Sequence, residues 1–180
     1  MKNPKLRLFI SMSLDGFLAS KDDDLSWMSF IEKDGEDYGY ADHSRKIDTY
    51  IVGRVTYDVV LKLTGGVFPQ AEQWKCYVLT REKRPDKKNV TFYNGNIVTL
   101  IQTLKAKEGG DIYCDGGGQV VKLLLEHDLI DEFVISVIPI ILGEGKRLFL
   151  GDTPGLKLKA LPVREFDSGV VQLHYTRETV

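Results

Sequence analysis

Residues 47–53 read IDTYIVG, a run whose last residues, Tyr50, Ile51 and Val52, are apolar on both alternating faces before it stops at a glycine. A strand of that kind belongs inside a sheet covered on both faces, as in the parallel sheets of α/β proteins. The same unit, a short apolar run followed by a breaker and a helical stretch, recurs along the chain. LRLFISMS (6–13) reads as a strand punctuated by Asp15-Gly16, and residues 38–46 suit a helix. Residues 56–63 suit a short helix that ends at Gly65-Gly66. KCYVLT (75–80) and residues 90–93 are strands, and residues 96–107 place Ile97, Leu100, Ile101 and Leu104 at helical intervals. Gly109-Gly110 stops that helix, DIYC (111–114) is the next strand, and residues 119–127 form the next helix. Strands alone follow: 131–141, then 156–166 and 170–177 joined by the turn Asp167-Ser168-Gly169. Alternation predicts a mainly parallel sheet with helices on both faces, and the tail predicts antiparallel strands at one edge. Pro139 within 131–141 suggests an edge strand or a bulge.

A length of 180 residues suits one domain, residues 1–180. A formal net charge of −2 with no basic block argues against nucleic-acid binding. Cys76 and Cys114 sit in apolar runs and read as buried thiols. There is no CxxC, no zinc-deaminase signature, and His43, His127 and His174 are scattered, so no metal site is expected. KLRLFISMSLDG is too short in its apolar part for a signal peptide, and no run approaches membrane-spanning length. A cytoplasmic protein with no membrane association is therefore expected.

Three strand ends carry anion-friendly residues. In CDGGGQVV a strand runs through glycines into a helix, whose unpaired amides and dipole favour negative charge. The same glycines would also serve a tight turn with no ligand. Neither standard fingerprint fits. The third glycine of GxGxxG would be Val121, and Gly145-Lys146 is followed by Arg147 rather than by Ser or Thr. In IVGRVTYD, Gly53, Arg54 and Thr56 lead from a strand into a helix and could surround a diphosphate; Thr56 could equally be an ordinary cap and Arg54 a solvated charge. In VLTREKR, Thr80 and Arg81 could grip a ribose 2′-phosphate, which favours NADP over NAD, or the run could simply face water. Ligands of open α/β sheets sit at such carboxyl ends.

Taken in order, SMSLDGFLA (11–19), GRVTYD (53–58), VLTR (78–81), DGGGQV (115–120) and LIDEFVISVIPIILGEGKRLF (129–149) resemble the dihydrofolate-reductase-like superfamily. The last segment is most similar to the reductase domain of bacterial riboflavin biosynthesis, the C-terminal half of a bifunctional deaminase-reductase, here as a stand-alone member. The resemblance implies an α/β fold, a three-layer αβα sandwich around a mixed, mainly parallel sheet with an antiparallel C-terminal hairpin. It implies NADPH as cofactor and a small heterocycle as substrate. Reduction of 5-amino-6-(5-phosphoribosylamino)uracil leads; dihydrofolate reduction, or a catalytically silent nucleotide-binding protein, are the alternatives. By the same resemblance, Ser11 and Leu18 flank the nicotinamide, and Gly53, Arg54 and Thr56 hold phosphate. Thr80 and Arg81 meet the 2′-phosphate. Gly116, Gly117, Gly118, Gln119 and Val120 line the cofactor, with a Gly116–Gly117 peptide that is often cis and bare glycines that admit the diphosphate. Through the 131–141 region the resemblance implies a homodimer, although that run would equally serve as a simple core strand.

The proton-handling acid is less defined. Counting back from Gly53 as in dihydrofolate reductases places Asp37 in that role, with Glu36 and Asp42 as rivals; all three also suit an exposed helix start. Asp15, at the end of the first strand, is a second candidate or a turn former. Trp27 could pack beside substrate or cofactor, Tyr38 and Tyr40 could wall a flat heterocycle or merely cover the core, Arg45 could bind a substrate phosphate or be a solvated helix residue, and Trp74 reads as core.

Overall fold

The computed structural model describes residues 3–153 and 155–178. In chain order it contains β1 (Leu6–Ser13), β2 (Phe17–Ala19), a 3-10 turn at Ser26–Ile31, α1 (Tyr40–Ser44), β3 (Ile47–Gly53), α2 (Arg54–Leu63), α3 (Gln70–Gln73) and β4 (Lys75–Leu79). Then come β5 (Val90–Tyr93), α4 (Ile97–Lys105), β6 (Asp111–Cys114), α5 (Gly118–Glu126), β7 (Glu132–Ile138), β8 (Lys146–Arg147), β9 (Leu158–Ala160), β10 (Arg164–Glu165) and β11 (Val171–Arg177). The main sheet runs β10-β11-β7-β1-β6-β3-β4-β5, with β9 also on β11. Pairings from β7 to β5 are parallel, and β11 is antiparallel to β7, β9 and β10.

The alternation of each strand explains the layers. Leu6, Leu8, Ile51, Ile112, Cys114, Phe133 and Ile135 face one side, where α4 contributes Leu100, Ile101 and Leu104 and α5 contributes Val121 and Leu124. Tyr50, Val52, Cys76, Val78, Phe92 and Tyr113 face the other, against Tyr57 of α2, Phe68 and Trp74. Two apolar faces on one sheet, each covered by helices, give the three layers. Both cysteines and Trp74 are in these cores, as expected. Across the sheet at the start of β1, buried Arg7 meets Asp111 at 2.6 Å and Glu132 at 2.8 Å, and Glu132 also meets His174 at 2.7 Å.

Some local expectations need correction. β7 is an interior strand paired in continuous register with β1 and β11, and Pro139 lies just past its end. Pro139 therefore stops the strand, with no bulge and no edge involved. Both edges of β7 are paired, and its Phe133, Val134, Ile135 and Ile138 are buried, while Ile141 beyond it is exposed. The 156–166 strand is broken into β9 and β10, with Leu161 donating to the His174 carbonyl at 2.8 Å between them. The turn at 167–169 does form, with Gly169 at φ +84°. α1 covers less than 38–46, and β2, β8 and α3 are too short for periodicity to reveal. Among the described residues no helix is long and apolar enough to cross a membrane, and no group of three potential metal ligands is assembled.

Candidate active site

Because β1, β3, β4 and β6 are parallel, their carboxyl ends open on one side of the sheet. A cleft of about 1910 Å³ lies there. Gly53 passes directly from β3 into α2, and Gly117 caps α5, so two helices begin at this edge. Neither has a side-chain cap, and the first residues of both helices line the cleft. The two starts are held together. Gly53 donates its amide to the Gly116 carbonyl at 2.9 Å, and the Thr56 hydroxyl lies 3.4 Å from where a Cβ on Gly117 would stand. Two helix N-termini, a hydroxyl and nearby cations make a donor set suited to a diphosphate.

The glycines have more than one cause. Gly116 has φ +81°, and its peptide to Gly117 is cis. A Cβ on Gly118 would stand 2.3 Å from the Arg147 carbonyl oxygen, a backbone atom of the neighbouring β8. Beside room for a diphosphate, the glycines thus have reasons within the chain: the positive φ at Gly116 and the Arg147 carbonyl at Gly118. Gly117 has an ordinary φ and faces only the Thr56 hydroxyl.

Between the helix starts stands a carboxylate that the sequence motifs do not single out. Asp115 comes directly after the four buried residues of β6 and lines the cleft. Its Oδ1 accepts from the Tyr113 hydroxyl at 2.9 Å and its Oδ2 from the Tyr50 hydroxyl. Loss of hydration outweighs these two hydrogen bonds and raises its pKa to about 6. The other carboxylates lining the cleft are neutralised: Asp23 by Lys146, Glu82 by Arg84 and Glu126 by Lys122. Asp115 has no cationic partner among the described residues.

Residues 4–172 match the family model described as the RibD C-terminal domain. The chain belongs to the RibD C-terminal domain family. YwjB, an uncharacterized protein of Bacillus subtilis, is 40% identical over 176 residues, covering 96% of this chain and 98% of that protein. A Shewanella sp. PV-4 protein whose name assigns it provisionally to riboflavin biosynthesis has a solved structure with TM-score 0.87 and 29% identity, covering 97% of this chain and 99% of that one. The dihydrofolate reductase of Enterococcus faecalis, solved with NADP(H), shares the fold at TM-score 0.66 and 15% identity, over 97% of each chain. The fold is one that solved reductases share.

Within this RibD C-terminal domain the expected residues divide into two groups. Ser11, Leu18, Gly53, Arg54 and Thr56 line the cleft, as do Thr80, Arg81, Gly117, Gly118, Gln119 and Val120. Gly116 lies just behind them and braces Gly53. Thr56 is in the first turn of α2 and is not its cap. Arg54 is tied to Asp58 at 2.7 Å, while exposed Arg81 has no ion pair or hydrogen-bond partner among the described residues.

The catalytic and substrate candidates fall outside the cleft lining. Exposed Asp37 accepts from the Gly39 and Ala41 amides, both at 2.8 Å, and so secures the start of α1. Those amides, Ala41 first, hold its pKa below the usual carboxylate value. Asp15 accepts from the Ser13 hydroxyl at 2.6 Å and from the Leu142 and Gly143 amides, anchoring the 140–143 loop. The Ser13 hydrogen bond foremost, with the two amides, lowers its pKa to about 2. Neither placement suits a proton donor. Tyr38 donates to the Ile31 carbonyl and packs edge-on to Phe166, bridging to the C-terminal strands. Arg45 is exposed and paired with Asp42. Trp27 sits between Leu25 and Met28, which do line the cleft, but does not line it itself. Tyr40 packs edge-on to the cleft residue Phe9 at 6.2 Å between ring centroids.

Proposed function

We propose that this chain is an NADPH-dependent reductase of a pyrimidine-type or pterin-type heterocycle, with Asp115 as the proton donor. The observation that supports it best is Asp115 itself: the only lining carboxylate without a cation among the described residues, raised to a pKa of about 6, beside two open helix starts. When bound, NADPH would supply the hydride. The amides of α2 and α5 with the Thr56 hydroxyl suit its diphosphate, and Arg81 with Thr80 suits its 2′-phosphate. Ser11 and Leu18 suit the nicotinamide end. The remaining requirement is one proton. Asp115 carries it below about pH 6 and gives it to the heteroatom of the reduced bond, while Leu25 and Met28 wall the cleft against water.

The family favours a ribosylaminopyrimidine of the riboflavin pathway as acceptor. A second reading, a dihydrofolate-type acceptor without phosphate, gains support from Arg45, which is spent on Asp42 outside the cleft. The test is to titrate NADPH and NADH by calorimetry and then follow NADPH absorbance with each acceptor. NADPH should bind at least about tenfold more tightly than NADH through the 2′-phosphate contact. Asp115→Asn should cut turnover by about 100-fold or more and leave the NADPH Kd unchanged. NADPH binding with no turnover on any acceptor would sink the enzyme reading in favour of a silent nucleotide-binding protein.

A further inference from the structure

The two phenols behind Asp115 are placed too specifically to be filler. Tyr50 comes from β3 and is fully buried; Tyr113 comes from β6 and is 6% exposed. Each reaches a different oxygen of the same carboxylate. Neither ring is free to swing away. Tyr50 is stacked on Trp74 with centroids 5.8 Å apart and meets Tyr113 edge-on at 5.1 Å. Tyr113 meets His43 edge-on at 4.6 Å, and His43 stacks on Phe9 at 4.3 Å. We propose that Tyr50 and Tyr113 are positioning residues: their hydroxyls clamp Asp115 in one orientation towards the cleft and set the pH range over which it holds its proton. This rests on the reading of Asp115 as proton donor.

The groups facing the carboxylate make the direction of the effect definite. Tyr50 and Tyr113 donate to it, and burial pushes both phenols well above their usual pKa, so they stay protonated donors. The Tyr40 phenol of α1 is likewise raised, by burial first and then by the Asp115 charge. Cys114, beside it on β6, and Cys76 on β4 near Tyr50 are both pushed by burial to about 12 and stay neutral. His43 is pushed down to about 4 by burial and then by the Arg7 charge, so it is neutral too. Among these groups there is no cation to stabilise the carboxylate. The two hydroxyls are the side-chain hydrogen bonds that favour its ionised form, and removing one makes the proton harder to lose. The Phe variants therefore hold the proton to higher pH than the parent does.

The test uses Tyr50→Phe and Tyr113→Phe, which keep the ring packing, alone and combined with Asp115→Asn. Carbon-13 NMR of labelled aspartate in the protein without ligands reads the Asp115 titration directly. Each Phe variant should move the midpoint up by about 1 pH unit, the size of one charge-assisted hydrogen bond. The alkaline limb of the NADPH-consumption profile should move up with it, and in the Asp115→Asn background the Phe substitutions should move nothing. An unshifted NMR midpoint, or the same shift of the profile in the Asp115→Asn background, overturns the clamp. A shifted NMR midpoint with an unshifted kinetic limb supports the clamp and instead refutes Asp115 as the catalytic acid.

Discussion

Replacing Asp115 by Asn tests the electrostatics of the cleft without any ligand. The pKa of this carboxyl moves from 3.8 in the unfolded chain to about 6 in the folded one. That difference, 6 − 3.8, is roughly 2 units, or about 3 kcal/mol at about 1.36 kcal/mol per unit. Linkage fixes the sign. Between those two values the folded protein binds more proton than the unfolded one, so this group's contribution to stability is fully present below about pH 4 and lost as pH rises through about 6. Asn carries no charge and loses nothing over that range. Stability of Asp115→Asn minus that of the parent should therefore increase from pH 4 to pH 7 by up to about 3 kcal/mol and then level off. Urea unfolding followed by circular dichroism at several pH values measures it. A difference that stays flat across this window would refute the claim that desolvation dominates at Asp115.

The same geometry sets the outcome of other substitutions. Gly118→Ala drives a methyl into the Arg147 carbonyl oxygen and should cost about 1–3 kcal/mol in urea unfolding. Gly117→Ala meets only the Thr56 hydroxyl and should leave stability nearly unchanged while weakening NADPH in calorimetry. Arg81→Ala should bring the NADPH and NADH affinities to within about threefold of each other, because it removes the uncommitted cation at the β4 end. Asp37→Ala should lower the thermal midpoint by loosening the start of α1 and leave turnover intact; a large loss of kcat would reinstate it as the catalytic acid.

The architecture was legible because the strands declare it twice, once by their apolar content and once by the breaker and helix that succeed them. Ile51 and Tyr50, adjacent in sequence, end in opposite cores, and only a sheet covered on both faces allows that. Pro139 misled because its penalty applies only inside a hydrogen-bonded ladder, and reading the strand three residues too far, to 141, put it there. The 156–166 segment misled for the opposite reason: its residues face one partner strand and solvent, so nothing forces continuous pairing.

The helix-start side of the cleft was readable because it consists of glycine-led helix starts and their neighbours, features local in sequence. The chemical side was not, because it depends on residues far apart in the chain. Asp37 and Asp15 each have sequence neighbours that make them ordinary turn and cap acids, and the structure uses both in that way. Asp115 looks just as ordinary, an acid before glycines. Its distinction comes from Tyr50, 65 residues earlier, and from lost hydration with no ion-pair partner among the described residues. A carboxyl in solution and this one differ first in lost hydration and then in the two phenols that parallel pairing of β3 and β6 sets side by side. That pairing sets the Tyr50 and Tyr113 rings side by side in register, so the catalytic proposal and the fold stand on the same strand contact. A slip of one residue between these strands would turn one phenol to the opposite face of the sheet and leave Asp115 with a single donor.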